Sequence, residues 1–118
     1  MSAAALRARL NSHVTSMFNT GTVDEYFEYL QSVEEDGSSA PGLVADVINL
    51  FIGDANSILN GIAGLLSAPN PSSLHLLSSS HLGCLMALSL LRNEFCDVCN
   101  KFQTMMQLEQ QIAACGPK

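Results

Sequence analysis

The apolar positions fall into four runs, each at helical rather than alternating spacing. Leu6, Leu10, Val14, Met17 and Phe18 recur at three- and four-residue steps between Ala3 and Asn19. Thr20 and Gly21 follow as a plausible C-terminal stop, so the first helix is expected to end there. Thr22 with Glu25 three positions on has the capping-box arrangement, in which each side chain satisfies the other residue's free backbone N–H. A second helix is predicted to open there, with Val23, Tyr26, Phe27, Leu30 and Val33 as its apolar stripe. Positions 34–41 break the pattern with Asp36, Gly37, Ser38 and Ser39.

Leu43, Val44, Val47, Ile48, Phe51, Ile58, Leu59, Ile62 and Leu66 then predict a third helix, long and deeply buried. Gly53, Gly61 and Gly64 each cost it about 1 kcal/mol relative to Ala, unless they admit a closely packed neighbour. Residues 67–73, with Pro69, Asn70 and Pro71, read as a loop, and Ser78, Ser79 and Ser80 mark a second weak point. From Leu82 to Ala114, Leu85, Leu88, Leu91, Phe95, Val98, Phe102, Met105, Met106 and Ile112 predict a long terminal helix that stops near Gly116 and Pro117. No window alternates with period two and no solenoid repeat occurs. The expected architecture is all-α, a small helical bundle.

Charge changes the picture chiefly by exclusion. The 118 residues carry a formal charge of −6, and no Lys or Arg lies between Arg9 and Arg92. Nucleic acid and anionic membrane surfaces both require clustered cations, so neither is an expected partner; another protein is. Residues 55–91 contain no charged side chain, which raises the question of a membrane span. The two prolines and seven serines of positions 67–89 interrupt that stretch, leaving apolar pieces such as 82–88 far short of the roughly 20 residues a bilayer needs. The N-terminus has Arg7 and Arg9 but no continuous apolar core of a secretory signal, and its helical spacing favours a core helix over a transit peptide. With no secretion signal, Cys84, Cys96, Cys99 and Cys115 are expected as reduced thiols.

His81, Cys84, Cys96 and Cys99 read as H-x₂-C followed by C-x₂-C, a ligand count and spacing suited to a closed zinc site. Both pairs fall on what reads as one helix, so ligands that must meet would stand about three turns apart unless that helix breaks. Otherwise the cysteines serve as small apolar residues. Cys96 and Cys99 also match a redox pair, without the strand that such a motif normally follows. His13, His75 and His81 are candidate bases, yet no nucleophile elbow accompanies them. No glycine-rich phosphate loop occurs, and no cofactor is expected. Asp24, Glu25, Glu28, Glu34, Glu35 and Asp36 read as a solvated face or as a docking patch for a basic partner.

Two blocks carry a more specific signal. "GTVDEYFEYLQSVEEDGSSAPGLVADVINLFIGDA", and "LRNEFCDVCNKFQTMMQLEQQIAACGPK" at 91–118, resemble the plant histidine-containing phosphotransfer proteins of cytokinin two-component phosphorelays, the second block being similar to the tail of cereal members. Between such blocks the family carries a phospho-accepting histidine in a motif of the form H-Q-L-K-G-S-S. Here the intervening residues read "PNPSSLHLLSSSHLGCLMALS". His75 with Leu77, Ser79 and Ser80 is one match to that motif, without its Lys and Gly. A second alignment sets Gly83, Cys84 and Leu85 just ahead of the terminal helix and leaves His75 and His81 unrelated to the motif.

The resemblance implies a shortened four-helix bundle in a single domain, 1–118, disrupted at about 67–84 and short by on the order of 30 residues, two or three average helices' worth. It implies cytoplasmic and nuclear residence, and sensor histidine kinases and response-regulator receiver domains as partners. A phospho-histidine needs nearby donors for the phosphoryl oxygens, and this segment has no cation to offer. The expectation is therefore a degenerate, non-enzymatic interaction module that does not transfer phosphate. An active phosphocarrier using His75 and a small structural zinc protein are the alternatives. Loss of covering helices is further expected to expose several hundred Å² of apolar surface and to favour self-association or partner binding.

Overall fold

The computed structural model describes residues 2–67 and 79–115. Among the described residues it contains four helices and no strand: α1 (Ala3–Asn19), α2 (Glu25–Glu35), α3 (Leu43–Ser67) and α4 (Ser79–Ala114). The expected all-α class is the one observed.

Local chemistry explains the helix ends. Ser2 caps α1 by accepting the Ala5 N–H at 3.1 Å, which satisfies a backbone donor with no partner inside the helix. At the other end Gly21 takes φ +79, where a side chain would be strained, and lets Thr22 donate its N–H back to the Met17 carbonyl at 2.8 Å. The same device closes α2, with Gly37 at φ +79 and the Ser38 N–H on the Val33 carbonyl at 3.1 Å.

The start of α2 corrects the expected capping box. Asp24 is the cap, its Oδ1 accepting the Tyr26 N–H at 3.0 Å, whereas the Thr22 hydroxyl pairs with that of Thr20 at 3.2 Å. Two competent caps stand two residues apart, and the turn after α1 engages the first. A further cap comes from outside its own helix: the Glu34 carboxylate of α2 accepts the Val44 N–H at 2.8 Å in the first turn of α3, where the helix dipole favours a negative charge.

The chain divides into two compact units, residues 1–48 with 98–118 and residues 49–97, and both α3 and α4 contribute to each. In the first, Leu6 and Met17 of α1, Phe27 of α2, Val44 and Ile48 of α3, and Phe102, Met105 and Leu108 of α4 are buried, with Val23 from the α1–α2 connection. The Phe27 and Phe102 rings lie 6.2 Å apart at 45°. Burying side chains of this size stabilises by about 1.5–3 kcal/mol each, so this cluster is the thermodynamic centre of the unit.

The second unit is thinner. Leu59 of α3 and Leu88 of α4 are its buried apolar side chains, Phe51 meets Phe95 edge-on at 6.3 Å, and Arg92 of α4 donates to the Asn60 Oδ1 at 3.0 Å. Deep burial of α3 is therefore corrected: Leu50, Ile58 and Leu65 are exposed, because helical spacing shows that a stripe exists but not that a neighbour covers it. The glycines are not packing notches either, since a methyl group added at Gly53, Gly61 or Gly64 would meet nothing within 4 Å.

Within the expected disruption at about 67–84, Ser67 ends α3 and residues 79–84 form the first turns of α4; 68–78 lie outside the described residues. By length and composition α3 is a helix able to cross a membrane. The interruptions after position 66, from which no span was expected, leave it intact.

Candidate functional site

Phosphoryl transfer through a histidine requires an imidazole nitrogen with a free lone pair, exposed to a partner, with cationic or N–H donors around the phosphoryl oxygens. Each of the three histidines can be held against that requirement.

His13 stands on α1, part-buried, with its Nε2 2.7 Å from the carbonyl oxygen of Lys101 on α4. A carbonyl only accepts, so Nε2 carries the proton and donates. That nitrogen is committed to the contact between helices, which leaves only Nδ1 of this part-buried ring with a lone pair, and the imidazole serves to join α1 to α4. Nothing in the local sequence announces this contact, since 88 positions separate the two residues.

His81 lies in the first turns of α4 and is half-buried. Its helical neighbours toward the C-terminus, one turn on, are Cys84 and Leu85, which give a phosphoryl group no charge. The next cation along the helix is Arg92, eleven residues or roughly 16 Å away by the helical rise. Its guanidinium already donates to Asn60 and, at 3.5 Å, to the Leu59 carbonyl. His75, the tentative phospho-acceptor, lies outside the described residues.

The zinc alternative is corrected by the continuity of α4. His81, Cys84, Cys96 and Cys99 all sit on that one unbroken helix, so His81 and Cys99 are separated by 18 residues, roughly 27 Å along its axis. Ligands of one zinc ion must lie within a few ångströms of one another. Cys84 and Cys96 are exposed and Cys99 is half-buried, and among the described residues no three His, Cys, Asp or Glu side chains converge on a metal position. Cys96 and Cys99 lie in the middle of α4, and no strand occurs among the described residues to lead into them.

The first unit holds a cleft of about 320 Å³ lined by Arg7, Leu10 and Asn11 of α1, Glu35 of α2 and Glu109 and Ile112 of α4. Burial pushes the Glu109 carboxyl above its ordinary value, and the charge of Glu34 adds to that push. Sequence reading placed Glu34 and Glu35 in a solvated acidic face and did not link Glu109 to them; a link across three helices has no local signature.

Comparison with known proteins decides the family. No family model matches the chain. A histidine-containing phosphotransfer protein of Oryza sativa is 41% identical across the whole chain and 99% of its own length, and a second from the same plant is 37% identical with the same coverage. This chain belongs to the plant histidine-containing phosphotransfer proteins. Solved structures agree. A phosphotransfer protein from maize superposes with a TM-score of 0.73 at 41% identity, covering 91% of this chain and 99% of that one. A putative one from rice gives 0.74 at 40%, covering 92% and 98%. The expected fold, a helical bundle of the phosphotransfer type, is thus the observed one.

The chain is short for its family. The alignment with the first rice relative occupies 148 positions against 118 residues here, so about thirty of them fall opposite gaps in this chain. All of the chain is aligned, so those gaps are internal rather than at its ends. A shortfall of this size was the one expected.

Proposed function

We propose that the chain, as one module spanning 1–118, binds the sensor kinases and response-regulator receiver domains of a plant cytokinin two-component phosphorelay without carrying phosphate between them. The observation that carries this reading is the internal deficit of about thirty positions in a chain that has no Lys or Arg between Arg9 and Arg92. Neither His75 nor His81 then has a cationic neighbour in its own segment. His13 supports the reading too, with its Nε2–H committed to the Lys101 carbonyl.

Phosphate on imidazole is a high-energy group whose formation needs charge-assisted hydrogen bonds in place before the transfer, and an uncharged apolar segment does not supply them. Binding requires less. The acidic face of α2 and the tail of α4, both in the blocks that resemble the family, remain for docking. A pseudo histidine-containing phosphotransfer protein of Arabidopsis thaliana, 29% identical over 94% of the chain, is among its relatives. The chain acts as a competitor rather than an enzyme or carrier, in the cytoplasm and nucleus, and inserts into no membrane.

Competition provides the test. Transfer from a phosphorylated receiver domain to a full-length rice relative is followed with and without an excess of this chain. Inhibition that rises with the amount added, with no phosphate appearing on the chain, is the expected result. Absence of inhibition at saturating excess contradicts the competitor role.

A further inference from the structure

The thin second unit, residues 49–97, is where the molecule leaves most apolar surface uncovered. It pairs nineteen residues of α3 with nineteen of α4, each arm roughly 28 Å long. The arms run antiparallel, since Phe51 meets Phe95 and Asn60 meets Arg92.

On α3, Ile58, Ile62 and Leu65 recur at steps of four and three and so fall on one stripe, with exposures of 62, 38 and 82%. On α4, Leu82, Met86 and Leu90 recur at steps of four, with exposures of 54, 67 and 66%. Counting every exposed large apolar side chain of this unit, the uncovered surface is on the order of 1,000 Å². That is more than the few hundred Å² a monomer ordinarily shows, and the share carried by the six stripe side chains is comparable with the about 800 Å² each partner contributes to a standard interface.

Charge selects the occupant. Two copies of a chain with a net charge of −6 repel, but the 37 residues at positions 55–91 carry no charge at all. Two such faces meet without burying an ion and without opposing like charges, while the acidic run at 24–36 belongs to the other unit. The six stripe side chains include no acid for a basic partner and no cation for an anionic lipid surface, the acids Asp54 and Glu94 standing one turn beyond Ile58 and Leu90 at the same end of the helix pair. Gly61 and Gly64 face open space on α3, so a second backbone can approach there without a side chain intervening. A chain about thirty positions shorter than its relatives also has fewer residues of its own to lay over this helix pair.

We propose that this protein forms a two-fold homodimer through residues 49–67 of α3 and 81–97 of α4, in which this helix pair of one copy packs on that of the other through the α3 and α4 stripes. The four arms then make an intermolecular four-helix layer. The inference is independent of whether the chain carries phosphate.

Sedimentation velocity over a micromolar concentration range, at physiological salt, tests it. The expected species has twice the 12.6 kDa chain mass and is insensitive to added salt, as an apolar interface should be. Leu65→Glu and Met86→Glu each place a charge at the interface and should weaken association at least about tenfold. Both side chains are largely in solvent in the single chain, so helicity by circular dichroism should be unchanged. Tyr29→Glu, 66% exposed on α2 in the other unit, should leave the dimer intact. A monomer at every concentration overturns the proposal, as does a dimer that both Leu65→Glu and Met86→Glu leave unchanged. Flotation of the chain as a monomer with phosphatidylcholine vesicles also overturns it, since a lipid surface is then the occupant.

Discussion

Met105 is wholly buried in the first unit, with no measurable exposure, and Met17 is buried to 1%. Truncating Met105 to alanine removes three heavy atoms from a cluster shared with Phe27, Phe102 and Leu108, and rigid helices on several sides leave little room for collapse. Large-to-alanine changes at such sites cost about 2–5 kcal/mol, of which the lost transfer free energy is only part and the cavity the rest. A figure of about 3 kcal/mol is appropriate here, and for a chain of this length it lowers Tm by about 10–15 °C. Leu65→Ala is the matched control at 82% exposure and should change stability by less than about 0.5 kcal/mol in a monomeric sample. Helical ellipticity followed through a thermal or urea melt reads both. A cooperative transition in the parent chain, a large loss for Met105→Ala and almost none for Leu65→Ala is the expected pattern. Equal losses at the two positions, or no cooperative transition in the parent, would refute the placement of the stabilising core in the first unit.

Glu34→Ala removes the carboxylate that caps α3 through the Val44 N–H and should cost about 1 kcal/mol in a urea titration, whereas an exposed neighbour such as Glu35→Ala should cost less. The Glu109 carboxyl, raised by burial and by Glu34, binds its proton more tightly in the folded chain than in the unfolded one. It therefore places no burden on stability below its unfolded value and lowers stability as pH rises through the window up to its raised folded value. Glu109→Gln should accordingly stabilise the chain at neutral pH, with the gain gone at about pH 3, as denaturant melts at the two pH values would register. His13→Ala removes the imidazole that joins α1 to the Lys101 carbonyl and should lower Tm measurably. Prolonged dialysis against a chelator should leave the ellipticity and melt unchanged, because the cysteines and His81 are strung along one helix; loss of structure on chelation would contradict that geometry.

Helix identity was legible because it is written locally. The span of α1 follows from the stripe ending in Met17 and Phe18 and from Gly21, and the observed helix has the expected limits. Finer features were less so. Thr22 and Asp24 are both good caps, and the choice between them depends on the turn that follows α1. Deep burial of α3 does not follow from its periodicity: Ile58 and Leu65 carry the spacing of a core helix and stand in solvent, with no element among the described residues covering them. Gly61 and Gly64 were ambiguous for the same reason.

Family membership was legible in the two blocks that resemble the family, which fall on α2, α3 and the tail of α4. The candidate site was the least legible part. His75 falls at 68–78, outside the described residues, and the contacts that fix the roles of His13 and Arg92 join residues 88 and 32 positions apart.

The account turns on whether any histidine of this chain accepts phosphate. The most direct measurement incubates the purified protein with a receiver domain phosphorylated on its aspartate and follows acid-labile, base-stable phosphate on the chain, with a full-length rice relative as the positive control. The account predicts label on the relative and none on this chain. Label on this chain that His75→Gln abolishes would contradict it and establish an active phosphocarrier in its place.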